Sequence, residues 1–270
     1  MSDKKRVDVA LVERGLAASR EKAQALVMSG VVYIGETKVT KASLTVAPED
    51  ELIVRQTGTG YVSRGALKLE KGLKVFGVDA TGVVAMDLGA STGGFTDVLL
   101  QNGAAHVYAI DVGYGQLDWK LRNDPRVTVM ERTNARYLKP EDLPLRPTLG
   151  VMDVSFISIT KILPAAAAIL GEDGAFISLI KPQFEAGRER VGKKGVVRDP
   201  QVHRDVILEI LRFIETDMGW QAQALSFSPI TGPEGNIEFL VYILPTARAT
   251  HRVTQDEVAQ VVAAAHESLR

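Results

Sequence analysis

The 270-residue chain contains no cysteine. A disulfide framework, a thiolate zinc site and a cysteine nucleophile are therefore excluded, and the composition suits a cytoplasmic protein. Histidine is scarce as well. His106, His203, His251 and His266 are scattered with no metal-ligand spacing such as His-Glu-x-x-His, so no metal site is expected. No apolar run reaches the roughly 18 residues that a membrane-spanning helix needs, the most apolar stretch being Ile162–Leu170. The charged segment Met1-Ser-Asp-Lys-Lys-Arg6 leads into no apolar stretch of the secretory-signal kind. Net charge is −1, so a nucleic-acid partner must be held by cations gathered on one face.

What remains is enough for one large domain and one small one. Residues 1–58 read as a compact α+β unit. Val7–Arg14 has a helical pattern closed by Gly15, and Ser19 is an N-cap for a second helix that ends at Gly30. Val31–Ile34 and Leu52–Val54 read as short strands, and Gln56–Gly60 as a hinge. Residues 61–246 then alternate between strands and helices. Candidate strands are Val83–Leu88, His106–Asp111, Val127–Met130, Leu149–Asp153, Ala175–Lys181, Ala222–Phe227 and Ile237–Leu244. This spacing predicts an α/β fold with a mostly parallel seven-stranded sheet and helices on both faces. Within 247–270, Thr254-Gln-Asp-Glu257 is a capping box that opens a terminal helix packing on the sheet.

The loop Asp87-Leu-Gly-Ala-Ser-Thr-Gly-Gly-Phe95 follows the first of these strands. A strand, a glycine-rich turn and a helix bring backbone N–H groups up to a ligand. Gly89, Gly93 and Gly94 allow tight turning, but the spacing departs from G-x-G-x-x-G. With Asp87 at its start, the loop better suits S-adenosylmethionine, whose ammonium needs acceptors rather than a phosphate cradle. Ser91, Thr92 and Phe95 complete the candidate cofactor residues in this loop. Asp111, about 20 residues on, stands where an acid commonly binds ribose hydroxyls, and Asn134 lies where adenine would sit.

Lys68, Asp153, Lys181 and Glu238 form a second group. Asp153 and Lys181 each end a candidate strand directly after an apolar run, where open α/β sheets place their ligand crevice. Glu238 starts the last strand and faces the same crevice if that strand runs antiparallel. Lys68, on the preceding helix, can lean over the opening. One charged strand end is ordinarily just solvated; four converging on one edge point to methyl transfer onto a ribose hydroxyl. A 2′-hydroxyl is a poor nucleophile and needs a base or a cation on its oxygen. Carboxylates beside Lys181 favour its ammonium form, which stabilises the oxygen, while Asp153 and Glu238 fix it and Lys68.

The chain resembles the haemolysin A/TlyA family, in which an S4 RNA-binding domain is fused to an FtsJ-like ribose methyltransferase. The resemblance covers nearly the whole chain. In the first part it rests on Arg6-Val-Asp8, Leu11, Ser19-Arg-Glu-Lys-Ala23 and Gly30. In the second it rests on Tyr61-Val-Ser-Arg-Gly65, Lys68-Leu69, Asp87–Asp97, Asp111-Val-Gly-Tyr-Gly-Gln-Leu117, Lys120-Leu-Arg122 and Asp124-Pro-Arg-Val127. Asp153-Val-Ser-Phe156, Lys181-Pro-Gln-Phe-Glu185, Lys194–Pro200 and Gly235-Asn-Ile-Glu238 complete it. It implies an S-adenosylmethionine-dependent 2′-O-methyltransferase acting on cytidine in 16S and/or 23S ribosomal RNA, with Lys68, Asp153, Lys181 and Glu238 as its catalytic tetrad. One departure is visible: the turn after the second helix reads Tyr33-Ile-Gly-Glu36, without the basic residue or asparagine usual there.

Arg6, Arg14, Arg20 and Lys22 around the two N-terminal helices are candidate phosphate contacts, as is Arg64. Arg188, Arg190, Lys193, Lys194 and Arg198 form a glycine-punctuated basic stretch, read as a mobile loop closing over RNA. Lys120, Arg122, Arg126, Arg132 and Arg136 extend this track. Two rival readings exist: a non-catalytic RNA-binding factor for ribosome assembly, and a membrane-lytic haemolysin. The intact four-residue series argues against the first, and the lack of an apolar or strongly amphipathic basic helix against the second.

Overall fold

The computed structural model describes residues 4–28, 30–35, 37–54 and 60–269, which divide into two compact units between Arg64 and Gly65. Most of the expected hinge, together with Glu36 of the atypical turn, lies outside the described residues.

In the first unit, β1 (Lys5–Arg6) leads directly into α1 (Val7–Glu13), followed by α2 (Arg20–Met28), β2 (Val32–Ile34), β3 (Thr37–Lys38), β4 (Thr45–Val46) and β5 (Leu52–Val54). The sheet β3-β2-β5 is antiparallel, and β1 pairs with β4. Val7, Ala10 and Leu11 of α1 meet Ala23 and Val27 of α2 over Val32, Val39, Val46 and Leu52. Gly15 closes the first helix at φ +70°, in the left-handed region that glycine enters without strain. The two-residue strands β1, β3 and β4 were not legible, because two residues carry no alternation.

The second unit contains α3 (Ala66–Phe76), β6 (Val84–Leu88), α4 (Gly94–Gln101), β7 (His106–Ile110), α5 (Trp119–Arg122), β8 (Val127–Met130), β9 (Leu149–Met152), α6 (Leu163–Leu170), β10 (Ala175–Ile180), α7 (Pro182–Glu185), α8 (Pro200–Met218), β11 (Trp220–Phe227), β12 (Phe239–Pro245) and α9 (Gln255–Ser268). All seven expected strands form, with ends shifted by two residues at most. The sheet order is β11-β12-β10-β9-β6-β7-β8. The ladders joining β10, β9, β6, β7 and β8 are parallel, and β12 runs antiparallel to both its neighbours. The chain builds outward from β6 in one direction, then returns to lay β9 on its other side. The crevice between β6 and β9 is therefore the topological switch point, where such sheets bind ligands.

The long helices follow from their apolar stripes. On α3, Ala66, Leu69 and Leu73 are buried, and a Cβ at Gly72 would stand 3.4 Å from Ile177, so glycine permits close helix–sheet contact. Asp199 caps α8 through Gln201, and Gly219 ends it in a left-handed conformation. The Thr254 capping box forms, and Val258, Val262 and Ala265 of α9 enter the core with Val206, Ile207 and Ile214 of α8.

Candidate active site and RNA-contact residues

Strand register explains how residues remote in sequence meet. Ile180 pairs with Phe239, so the residues just beyond, Lys181 and Glu238, emerge side by side at the carboxyl edge of the sheet. Leu88 pairs with Met152, which likewise sets Gly89 beside Asp153. Lys68 lies on the inward stripe of α3 and is buried there. Together these residues form a continuous ionic chain. Lys68 Nζ lies 2.6 Å from Glu238 Oε2 and 3.2 Å from Asp153 Oδ2, and Lys181 Nζ lies 2.5 Å from Asp153 Oδ1.

Burial pulls the Lys68 ammonium toward neutrality, but the charges of Asp153 and Glu238 and their hydrogen bonds win and raise its pKa. Burial likewise pushes Asp153 up, and the charges of Lys68 and Lys181 bring it below the usual carboxylate value. Lys68 and Asp153, the shared centre of the chain, are thus both held in their charged forms near neutral pH.

Two side chains that sequence reading did not single out complete this group. Lys181 Nζ donates to Ser155 Oγ at 3.0 Å, and Gln183 Nε2 donates to Glu238 Oε1 at 3.2 Å. An ammonium has three donors, so Lys181 keeps one beyond Asp153 and Ser155. The Phe184 ring centre lies 5.9 Å from Lys181 Nζ, and Phe156 packs on that ring. Phe156 adopts φ +67° with 91% of its surface exposed, and its ring centre lies 5.0 Å from that of Phe184. A non-glycine residue at that φ costs of order 1–3 kcal/mol, a strain that clusters at functional sites. All four lie in the strings Asp153-Val-Ser-Phe156 and Lys181-Pro-Gln-Phe-Glu185, the only signal that could have found them.

The cofactor loop shows its glycines at work internally. A Cβ on Gly89 would lie 2.8 Å from the Asp153 carbonyl oxygen, and one on Gly93 would strike Leu121 and Leu117. Glycine is thus required for the loop to close against its own neighbours. Gly94 and Phe95 are buried at the start of α4, while Ser91 and Thr92 are exposed. Asp111 accepts from Ser91 N at 2.8 Å and Gly113 N at 2.7 Å, which leaves one lone pair on each oxygen for a ribose diol. Asn134 caps a short turn by accepting from Arg136 N, with its amide N–H groups left outward on an exposed side chain.

Asp87 departs from the expectation. Its carboxyl is wholly buried beneath the loop, where Thr96 Oγ1 donates to it at 2.7 Å and its second oxygen has no partner among the described residues. Burial pushes its pKa up to about 7; the Thr96 hydrogen bond opposes this, and the charges of Asp153 and Asp111 add to the rise. Facing inward, it shapes the loop and its electrostatics rather than offering an acceptor at the surface. The donor set still fits S-adenosylmethionine. Three carboxylates interact around a loop, Asp87–Phe95, that contains no lysine or arginine. The loop thus supplies acceptors and no cation of its own, which suits a ligand carrying cationic sulfonium and ammonium groups.

The candidate RNA contacts separate into several kinds. Arg14 is exposed, yet its guanidinium donates to the carbonyl oxygens of Asp50 at 2.6 Å and Ala47 at 2.9 Å and so braces the unit. Arg6 and Arg20 are half-exposed and share the buried Asp8. Lys22 lies in the first turn of α2, and Arg64 is exposed. Arg188, Lys193, Lys194 and Arg198 are exposed. The loop that bears them is built, not loose: Arg190 donates to Ala186 O, Val196 and Val197 are buried, and Asn236 holds Val197 N and Gly195 O. Of the outlying track, Arg122 pairs with Glu131 and Arg126 with Asp124, while Arg132 stacks on Tyr114. No described helix is long and apolar enough to cross a membrane.

Residues 61–243 match the FtsJ-like methyltransferase family and residues 5–52 match the S4 domain. The 16S/23S rRNA (cytidine-2′-O)-methyltransferase TlyA of Mycobacterium tuberculosis is 46% identical over 244 residues, spanning 90% of this chain and 91% of that one. Hemolysin A of Brachyspira hyodysenteriae is 41% identical over 240 residues, 88% of this chain and 99% of that one. A solved structure from Streptococcus thermophilus, described as a candidate hemolysin, superposes with TM-score 0.78 at 44% identity, covering 99% of this chain and 98% of that chain. Such similarity across both units, over a switch-point crevice that suits a cationic nucleoside, makes the chain a member of the TlyA/haemolysin A family: an S4 domain joined to an FtsJ-like, S-adenosylmethionine-dependent RNA methyltransferase.

Proposed function

We propose that this protein methylates the ribose 2′-hydroxyl of a cytidine in ribosomal RNA of one or both subunits, in the cytoplasm where ribosomes assemble. The observation that carries this reading is the ionic chain Glu238–Lys68–Asp153–Lys181, which ends beside the cofactor loop. S-adenosylmethionine bound there supplies a sulfonium-activated methyl group. Lys181 directs its remaining N–H at the 2′-oxygen, orienting a lone pair and stabilising negative charge as the O–H bond weakens. Asp153 holds that ammonium in place, and Lys68 with Glu238 and Gln183 holds Asp153. The oxygen gains the methyl and gives its proton to water. Asp111 takes the cofactor ribose, Asn134 borders the adenine, and Asp87 supports the loop from below. Phe156 and Phe184 offer the target nucleoside an apolar wall.

Arg6, Arg20, Lys22 and Arg64 of the S4 unit, with Arg188, Lys193, Lys194 and Arg198, bind RNA phosphates. The test is transfer of labelled methyl from S-adenosylmethionine to purified small and large ribosomal subunits lacking the modification, with Lys181→Ala in parallel. Label in RNA as 2′-O-methylcytidine, absent with the variant, is the expected result. No label on either subunit, from protein that binds S-adenosylmethionine, would overturn it in favour of a binding factor.

A further inference from the structure

Arg6 and Arg20 come from different elements, the end of β1 and the start of α2, yet they meet on one atom. Asp8 Oδ2 accepts from Arg6 Nη2, Arg20 Nε and Gln24 Nε2, each at 2.9 Å, and Asp8 Oδ1 accepts from Arg6 Nε at 3.0 Å. The Asp8 side chain is 0% exposed, whereas Arg6 is 44% and Arg20 56% exposed. The carboxylate thus lies beneath the two guanidinium groups and grips each by its inner edge. Arg6 spends Nε and one Nη2 hydrogen, and Arg20 spends Nε alone. Their Nη1 groups and the remaining Nη2 hydrogens have no acceptor among the described side chains. A planar guanidinium anchored at Nε has few orientations left, so its other donors are fixed in direction. The Arg6 hydrogen bond holds the Asp8 carboxyl well below the usual carboxylate range against the cost of burial, with help from Gln24 and Arg20.

We infer that Asp8 is a positioning residue for RNA, holding Arg6 and Arg20 as a preorganised pair of outward forks for phosphate oxygens. The inference rests on the reading of the S4 unit as RNA-binding and adds what makes two flexible arginines a single site. Free arginine side chains lose rotamer entropy on binding phosphate, and here that ordering is done in advance on folding. Phosphate is the ligand favoured because the cluster carries net charge +1 and presents paired N–H forks, the geometry that matches phosphate oxygens.

Asp8→Asn gives a test by sign. The substitution raises the local charge from +1 to +2, so if the arginines act as loose cations, RNA binding must tighten. If Asp8 positions them, binding must weaken, by about tenfold for two released side chains. Binding of the full-length protein to purified small and large ribosomal subunits would be measured over a series of salt concentrations, with thermal melting recorded for each variant. Arg20→Lys, which keeps the charge but cannot anchor Nε on Asp8, should weaken binding with the melting temperature nearly unchanged. Asp8→Asn in an Arg6→Ala, Arg20→Ala background should add nothing. Tighter or equal binding by Asp8→Asn, or full binding by Arg20→Lys, overturns the inference. Failure of the wild-type protein to bind either subunit overturns the RNA reading itself, and the inference with it.

Discussion

The two units solve opposite problems with the same ion pairs. In the S4 unit the anion is buried and the cations are displayed: Asp8 is enclosed, and Arg6 and Arg20 are half in water. In the methyltransferase unit both cations are taken inside, with Lys68 at 9% and Lys181 at 8% side-chain exposure, and Glu238 at 0%. The difference lies in what is left facing outward. A display site leaves several donors free and loses little when disturbed, since water can re-solvate the arginines. An enclosed site leaves one donor free on Lys181 and depends on every partner, because an unpaired charge there has no solvent to turn to.

Lys68→Met should break this contrast most forcefully. It leaves Asp153 and the buried Glu238 without their shared cation, and losing one partner of a buried ionic group costs about 3–5 kcal/mol. Denaturant unfolding of the full chain would register it; a change no larger than that of Asp8→Asn would erase the distinction between the two clusters. Lys181→Ala comes next, lowering the methyl-transfer rate about 10²–10³-fold as expected for one lost oxyanion donor. Single-turnover assays should show Lys181→Arg also impaired, because a planar guanidinium cannot occupy the compact site between Asp153 and Ser155.

Smaller effects sharpen the comparison. Asp87 has a folded pKa near 7, above an unfolded value of about 4, so the folded state binds the extra proton between these limits. Its contribution to stability is present below about pH 4 and is lost as pH rises toward 7, at of order 1 kcal/mol per pH unit. Asp87→Asn removes that loss, so the variant should gain on wild type across this window in parallel urea titrations. A constant difference between the two proteins would mean the carboxyl does not hold its proton. Asp153 and Lys68 behave in the ordinary senses. The lowered Asp153 is stabilising above its unfolded pKa, an effect lost on acidification through the folded value. The raised Lys68 is stabilising below its unfolded pKa, an effect lost only at strongly alkaline pH. Least of all, Arg14→Ala should lower the stability of the first unit by about 1 kcal/mol, the scale of its lost hydrogen bonds. The salt dependence of RNA binding should not move.

Much of the site was legible because strand ends announce themselves. A charge directly after an apolar run, as in Val151-Met-Asp153 and Leu179-Ile-Lys181, must surface at the carboxyl edge. The antiparallel course that brings Glu238 there could be stated only as a condition, since strand direction is fixed by long-range pairing. The inward turn of Asp87 was hidden for a different reason. A residue at the last turn of a buried strand can face the crevice or the underside of the following helix, and the hydroxyl of Thr96 on α4 decides it. Arg14 and Asp8 show the same limit: Arg14 reads as a phosphate contact and Asp8 only as part of a motif until their partners, the carbonyls of Ala47 and Asp50 and the two arginines, are placed in space.

Strand β12 lies between β10 and β11 and not at the margin of the sheet. Residue 238 therefore reaches Lys68 across 170 positions of chain, and only when β12 has taken its place between those two strands. Until then Lys68 has half its countercharge. The ionic chain is thus completed late in synthesis, since its last member closes a group that the helix before the first strand of the large sheet opened.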